Sequence, residues 1–315
     1  MNQFVRSLAL PCLMLLPASA LADDFTGFSM DFVDITGGLT ADNTGYGAVG
    51  YNYRMGVNEV SRGMIDSYNA NSGGPAITMF DYAAGGVSGG NLAGRPATGV
   101  SWNEAARFAN WLNTSSGYSA AYQFSGPNAN DNIALWTLGD AGYDPSNPFR
   151  NSQAYYFLPS EDEWYRAAYY DPNANGGAGG YWDYATGSNT APTAVTGGAT
   201  GAVYGQSSPT GPALVTDAGG LSPFGTMAQN GNVWEWGESG LTPPNDSALE
   251  SRVIRGGVWS SSSSALASSF RTNSGPTVEN SGLGFRVAAA GVPEPSGVLL
   301  TVLGAMGLLL KRRRS

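Results

Sequence analysis

Apolar and polar positions roughly alternate over residues 28–35, where Phe28, Met30, Phe32 and Ile35 carry the apolar side. That is the period of a half-buried strand. Turn formers fill residues 42–50, and alternation returns over residues 51–60 (YNYRMGVNEV), a second strand region. Ser61 is placed to cap a short helix ending near Tyr68, and residues 73–100, rich in glycine and small side chains, read as loop. The period then changes. Ser101 and Glu104 have capping-box spacing, and Ala105, Phe108, Trp111 and Leu112 fall on one helical face. Ser160 and Glu163 repeat the box ahead of a helix to about Tyr169. The acids Glu161, Asp162 and Glu163 in its first turn read as caps on the positive end of the helix. Residues 171–222 are Gly/Ser/Thr/Pro-rich and show neither period. A stretch of that length in a compact domain is either functional or poorly ordered. The pattern gives an α+β class with few short helices, short antiparallel strands and much loop, in one large domain without internal repeats.

Both ends depart from that pattern. Residues 1–22 combine Arg6, an apolar run over residues 8–16 and Ala20-Leu21-Ala22 before two aspartates, the layout of a cleaved secretory signal. The lone cysteine, Cys12, lies inside the run after Pro11, a poor context for lipid attachment. At the other end, VPEPS (residues 292–296) precedes an apolar run over residues 296–310 and then Lys311-Arg312-Arg313-Arg314. At roughly 1.5 Å per helical residue that run spans about 22 Å, short of the ~30 Å hydrocarbon core. A basic stop after a short apolar run suits a sorting signal, with a plain single-span anchor as the alternative. The domain proper is then residues 23–291.

Composition narrows the chemistry. The chain of 315 residues has a formal charge of −9 and no histidine. The two end segments remove five basic residues and one acid, which leaves ten basic against 23 acidic residues, near −13, and no lysine. A nucleic-acid or anionic-membrane partner is disfavoured, since no basic footprint exists to displace counterions. Cations or neutral polymers such as polysaccharide suit the charge better, and plain solubility accounts for the acidity equally well. Without histidine, and with no cysteine in the domain, Ser-His-Asp and Cys-His catalysis, nitrogen- or sulfur-ligated zinc and disulfides are excluded. Carboxylates, hydroxyls, arginine, tyrosine and oxygen-ligated metals such as calcium remain. Asp171, Asn173, Asn175 and Gly176 open a D-x-N-x-N-G calcium loop, but its twelfth position is Trp182 and Asp183 comes one residue late. An Asx-rich turn is the other reading.

Six segments stand out in order along the chain: NEVS (58–61), VSW (100–102), LPSEDEW (158–164), FGTMAQNGNVWEW (224–236), RVIRGGVW (252–259) and GLGFR (282–286). Together they resemble the formylglycine-generating enzyme family, the sulfatase-modifying-factor type, over roughly residues 28–288. The resemblance implies that family's fold, a relative of C-type-lectin-like scaffolds. The tail is similar to PEP-CTERM sorting signals, which implies cleavage by an exosortase, transient anchoring through 296–310 and delivery to the cell surface or extracellular matrix of a Gram-negative bacterium. The family also implies calcium at the GNVWEW loop, with carbonyls from Gly231 and Val233 and the carboxylate of Glu235. A further ligand position falls on Ala228, which has no oxygen to offer, with Gln229 or Asn230 as substitutes. The alternative is that Glu235 bridges only to an arginine, for which Arg255, Arg271 and Arg286 offer planar donors. The family's arginine before the LPSEDEW leucine is Phe157 here.

The family's chemistry uses a cysteine pair, shortly after the GGVW-type segment, that binds copper. Residues 260–264 are all serine at that place, and the first cysteine falls near Ser261. Serine does not hold copper(I) as thiolate does, and the histidines of the family's iron-dependent sulfoxide-synthase relatives are absent. The reading that results is a non-catalytic extracellular or cell-surface domain that binds a ligand or matrix polymer, with calcium giving loop order. Formylglycine-generating oxidase activity and a structural role in an exopolysaccharide or biofilm matrix stand as alternatives.

Overall fold

A computed structural model describes residues 21–243 and 245–291. Residues 1–20 of the segment read as a secretory signal, and residues 292–315, read as a sorting signal, lie outside the described residues. A five-stranded sheet runs in the order β1 (Leu21–Phe25), β2 (Phe28–Ile35), β3 (Tyr53–Gly56), β13 (Ala288–Ala290), β6 (Tyr156–Phe157), antiparallel throughout. It buries Phe32, Ile35, Tyr53 and Met55 against the helical layer. β1 pairs Leu21 with Phe32 and Ala22 with Asp31, so it takes in the last two residues of the segment read as a leader.

The second sheet has four strands, β11 (Thr272–Ser274), β10 (Arg252–Arg255), β9 (Trp234–Gly240) and β12 (Leu283–Gly284). Its first three strands pair antiparallel, as expected of most strands here, and β12 adds a parallel pairing to β9. The GLGFR segment that contains β12 therefore runs alongside GNVWEW, with Leu283 opposite Trp234 and Gly284 opposite Glu235. Two small hairpin pairs complete the strands, β4 (Gln123–Phe124) with β5 (Ile133–Ala134) and β7 (Tyr170–Asp171) with β8 (Gly180–Tyr181).

The helices start where their caps predict. In α1 (Arg62–Asn71) Ser61 Oγ accepts from Met64 N, and Met64 Sδ takes the place of the glutamate in the return bond. The helix runs a turn past Tyr68. In α2 (Trp102–Ser115) Glu104 N donates to Ser101 Oγ at 3.2 Å, and Ser101 N to Glu104 Oε2 at 2.9 Å. The expected face of α2 is buried, with Ala105, Phe108 and Leu112 fully enclosed beside Phe285 and Trp111. In α3 (Glu161–Tyr169) Ser160 and Glu163 close the same box.

Loop dominates the rest, and guanidinium groups tie it down. Nine of the ten arginines among the described residues donate to at least one backbone carbonyl, as when Arg166 Nε donates to Thr36 O and Arg95 Nη1 to Pro212 O. A planar group with five donors can hold several loop carbonyls at once, which the three donors of a lysine cannot do at fixed angles. This gives the absence of lysine from the domain a physical role. Residues 171–222 are ordered by isolated bridges, among them Ala194 with Ala202 and Val203 with Gly231, and they bury Ala202 and Val203. Within them Asp171 Oδ1 accepts from Asn173 N at 2.8 Å and Oδ2 from Trp182 Nε1 at 3.2 Å. Asn175 adopts φ 52° and donates to Gly179 O. The D-x-N-x-N-G segment is thus an Asx turn whose acid is engaged by protein donors.

Candidate functional site

The GNVWEW segment enters β9 through a turn that its sequence requires. Gly231 has φ 95°, and a Cβ there would collide with the Val203 carbonyl. Asn232 follows at φ 61°, in the left-handed region that asparagine tolerates. Asn232 N donates to Val203 O at 2.8 Å, and Asn232 Oδ1 accepts from Ala213 N at 2.8 Å, so this residue stitches the long loop to β9. Asn230 Oδ1 accepts from Ala185 N at 3.2 Å to the same end. Ala228 is buried at φ 69° among Val203, Ala213 and Ala218. Gln229 bonds inward to Trp164 O and Thr226.

Glu235 is almost fully buried and faces Arg286. Arg286 Nε donates to Glu235 Oε2 at 2.6 Å, and Nη2 to Oε1 at 2.6 Å. Trp164 Nε1 is a second donor to Oε2, at 2.6 Å. The remaining Arg286 hydrogens reach Gly56 O at 2.9 Å, Val57 O at 3.1 Å and Met227 O at 2.7 Å. All five N–H groups are therefore matched. Arg286 gathers one carboxylate and three backbone carbonyls, the kind of donor set a bound metal ion would otherwise collect.

The residue that sequence reasoning passed over is Glu59, from the NEVS segment. Its Oε2 accepts from Asn232 Nδ2 at 2.5 Å and its Oε1 from Val233 N at 3.3 Å. Complete burial, with Glu235 nearby, holds its carboxyl well above the usual range. Of the residues expected to hold calcium, Gly231 forms the turn and Val233 is enclosed with its N–H on Glu59. Glu235 has each oxygen engaged by Arg286 or Trp164. A cation on Glu235 would have to displace one of those donors, so the residues present do not fit calcium there. Among the described residues no group of three or more acidic side chains converges elsewhere. Melting curves of the purified chain in calcium and in chelator are expected to coincide; a chelator-sensitive transition would show that a metal orders this domain after all.

Two more ion clusters flank α3. Glu161 is the shared partner of Arg255 (Nη2 to Oε1, 2.6 Å) and Arg271 (Nη2 to Oε2, 2.7 Å), and Asp162 Oδ1 accepts from Gly47 N. Of the three helix-start acids only Glu163 closes the cap; the other two anchor neighbouring segments. Glu163 also takes a forked bond from Arg150, at 3.1 and 3.2 Å, while Arg150 Nε reaches the Glu238 carboxylate at 3.1 Å. Arg150 lies over the Phe157 ring, 4.1 Å from its centroid, so the position where the family has arginine supplies a face for another arginine.

The segment at the place of the family's thiols borders an open cleft of about 430 Å3 between β10, β11 and the loop before β12. Ser261 Oγ accepts from Val258 N at 3.1 Å, its N–H returns to Val258 O, and Ser262 and Ser264 bond to each other. Trp234, Trp259 and Phe270 form the aromatic part of the cleft, with Trp234 and Phe270 stacked at 5.8 Å and 28°. Ser260, Asn273 and Asn280 are among its polar rim, and every side chain lining it is uncharged.

This two-sheet, loop-rich α+β scaffold is shared with solved structures. Treponema denticola variable protein 1 superposes with a TM-score of 0.59 at 21% identity, over 86% of this chain and 99% of that one. CarF does so at 0.55 and 20%, over 84% and 99%. At these identities the likeness concerns the fold. The sequence pattern of the sulfatase-modifying factor enzyme 1-like domain family matches residues 24–290, and the chain belongs to that family. No curated protein sequence matches it.

Proposed function

We propose that this chain is a binding member of its family, exported and sorted to the cell surface or matrix, and that it carries out no oxidation of cysteine to formylglycine. The observation that carries this reading is the cleft beside residues 260–264. It keeps an open, aromatic-walled volume, while Ser261, near the place of the family's first cysteine, accepts from its own backbone segment and Ser262 and Ser264 bond to each other. The domain also contains no cysteine or histidine to serve as a soft copper ligand or base. Export through residues 1–22 and exosortase-dependent sorting through residues 292–315 would put the cleft in front of surface or matrix polymers. Incubation of the purified chain with copper and a sulfatase-type cysteine peptide is expected to give no aldehyde. Aldehyde formation with stoichiometric copper uptake would overturn the reading.

A further inference from the structure

We infer that the cleft of Trp234, Trp259 and Phe270 takes a neutral sugar residue of a glycan, and that it does so without a metal ion. The inference rests on the binding-domain reading and specifies its ligand. Three observations support it. The first is charge. In a chain of net charge −9, the cleft is lined only by uncharged side chains, so neither an anionic nor a cationic ligand finds a partner in it. It also presents no carboxylate with which to hold a bridging calcium ion. The second is the surface itself. The Trp234–Phe270 stack and the Trp259 indole form an apolar wall, against which the C–H face of a pyranose can pack. Ser260, Asn273 and Asn280 stand at the rim with hydroxyl and amide groups suited to sugar hydroxyls. The volume falls in the roughly 300–1,000 Å3 range of small-ligand sites.

The third observation is an unmatched donor. Trp259 Nε1 is buried and has no hydrogen-bond acceptor in the protein, whereas Trp102, Trp136, Trp164, Trp182 and Trp236 each donate to a carbonyl or carboxylate. A buried N–H without a partner is costly, and the indole, packed against the cluster of Val203, Ala213 and Ala218, would have to turn toward the cleft for a ligand hydroxyl to supply the acceptor. A peptide is the other ligand such a wall admits; because β11 and β12, the outer strands of the sheet, both line the cleft, peptides form a separate arm of the test.

The test uses the intact purified chain against arrays of neutral glycans, charged glycans and peptides, with and without chelator. Trp259→Phe removes the N–H and keeps most of the ring. Phe270→Ala trims a side chain that is 38% exposed and should leave the core intact. The expected result is binding to neutral glycans that chelator leaves unchanged and that each variant weakens by about five- to tenfold. Binding only to charged glycans or peptides, or no binding to any array, would overturn the ligand class. Neutral-glycan binding that both variants leave intact would overturn the site. Neither result touches the thiol argument, which fails only if aldehyde forms.

Discussion

Arg286→Met is expected to lower the melting temperature by on the order of 10 °C or more, or to leave the chain unable to fold. The change strands the buried Glu235 carboxylate with a single donor, Trp164, and takes a donor from the carbonyls of Gly56, Val57 and Met227, of which Val57 O keeps Met227 N. Breaking a buried ion pair from one side costs roughly 3–5 kcal/mol. Orphaned buried carbonyls add about 1–3 kcal/mol each where water does not reach them. In a domain of this size each kcal/mol moves the transition by about 2–4 °C. Arg286→Lys restores the charge but not the fork, so it should recover only part of the loss. Adding Glu235→Gln to Arg286→Met removes the stranded charge and should regain stability over the single variant. Full recovery by lysine would show that charge alone matters here, against the reading of Arg286 as a multi-armed tie. Added calcium should rescue none of these variants.

How much of this arrangement was legible beforehand follows from sequence separation. The capping boxes at Ser101–Glu104 and Ser160–Glu163 span three residues, so spacing alone revealed them, and the buried face of α2 followed from its period. The ordered series of motifs gave the fold. Pairing between distant groups could not be read in this way. Glu235 could have met any of three arginines, and the structure gives it Arg286, 51 residues on, while Arg255 and Arg271 share Glu161. Glu59 lies 173 residues from the Asn232 it holds. It carried no local signal beyond its place in NEVS, where no chemistry had been attached to it. The stretch 171–222 looked structureless because its order comes from single bridges and from asparagine side chains of another segment, and neither leaves a periodic trace.

Arg150→Met is expected to reverse the sign of the pH dependence contributed by α3. In the native chain burial pushes Glu163 up, but Arg150, Tyr51 and the Ser160 N–H outweigh it and hold its carboxyl below the usual range. A depressed carboxylate contributes stability that is present above its unfolded value of about 4.3 and is lost as the pH falls through the folded value. Glu238 shares the same guanidinium, yet burial and the neighbouring Glu163 leave it raised. Its contribution is therefore present below about 4.3 and lost as the pH rises through the folded value. Removing Arg150 takes away the main lowering influence on both. Glu163 then joins Glu238 in being raised by burial, and both favour the acidic side. At neutral pH the variant should be less stable than the native chain by roughly 3–5 kcal/mol. At pH 5, where both carboxyls can take up protons, the gap should narrow severalfold. Paired melts of the two proteins across that interval decide the matter. A gap that stays constant with pH would mean that Arg150 contributes through its packing over Phe157 and not through the two acids.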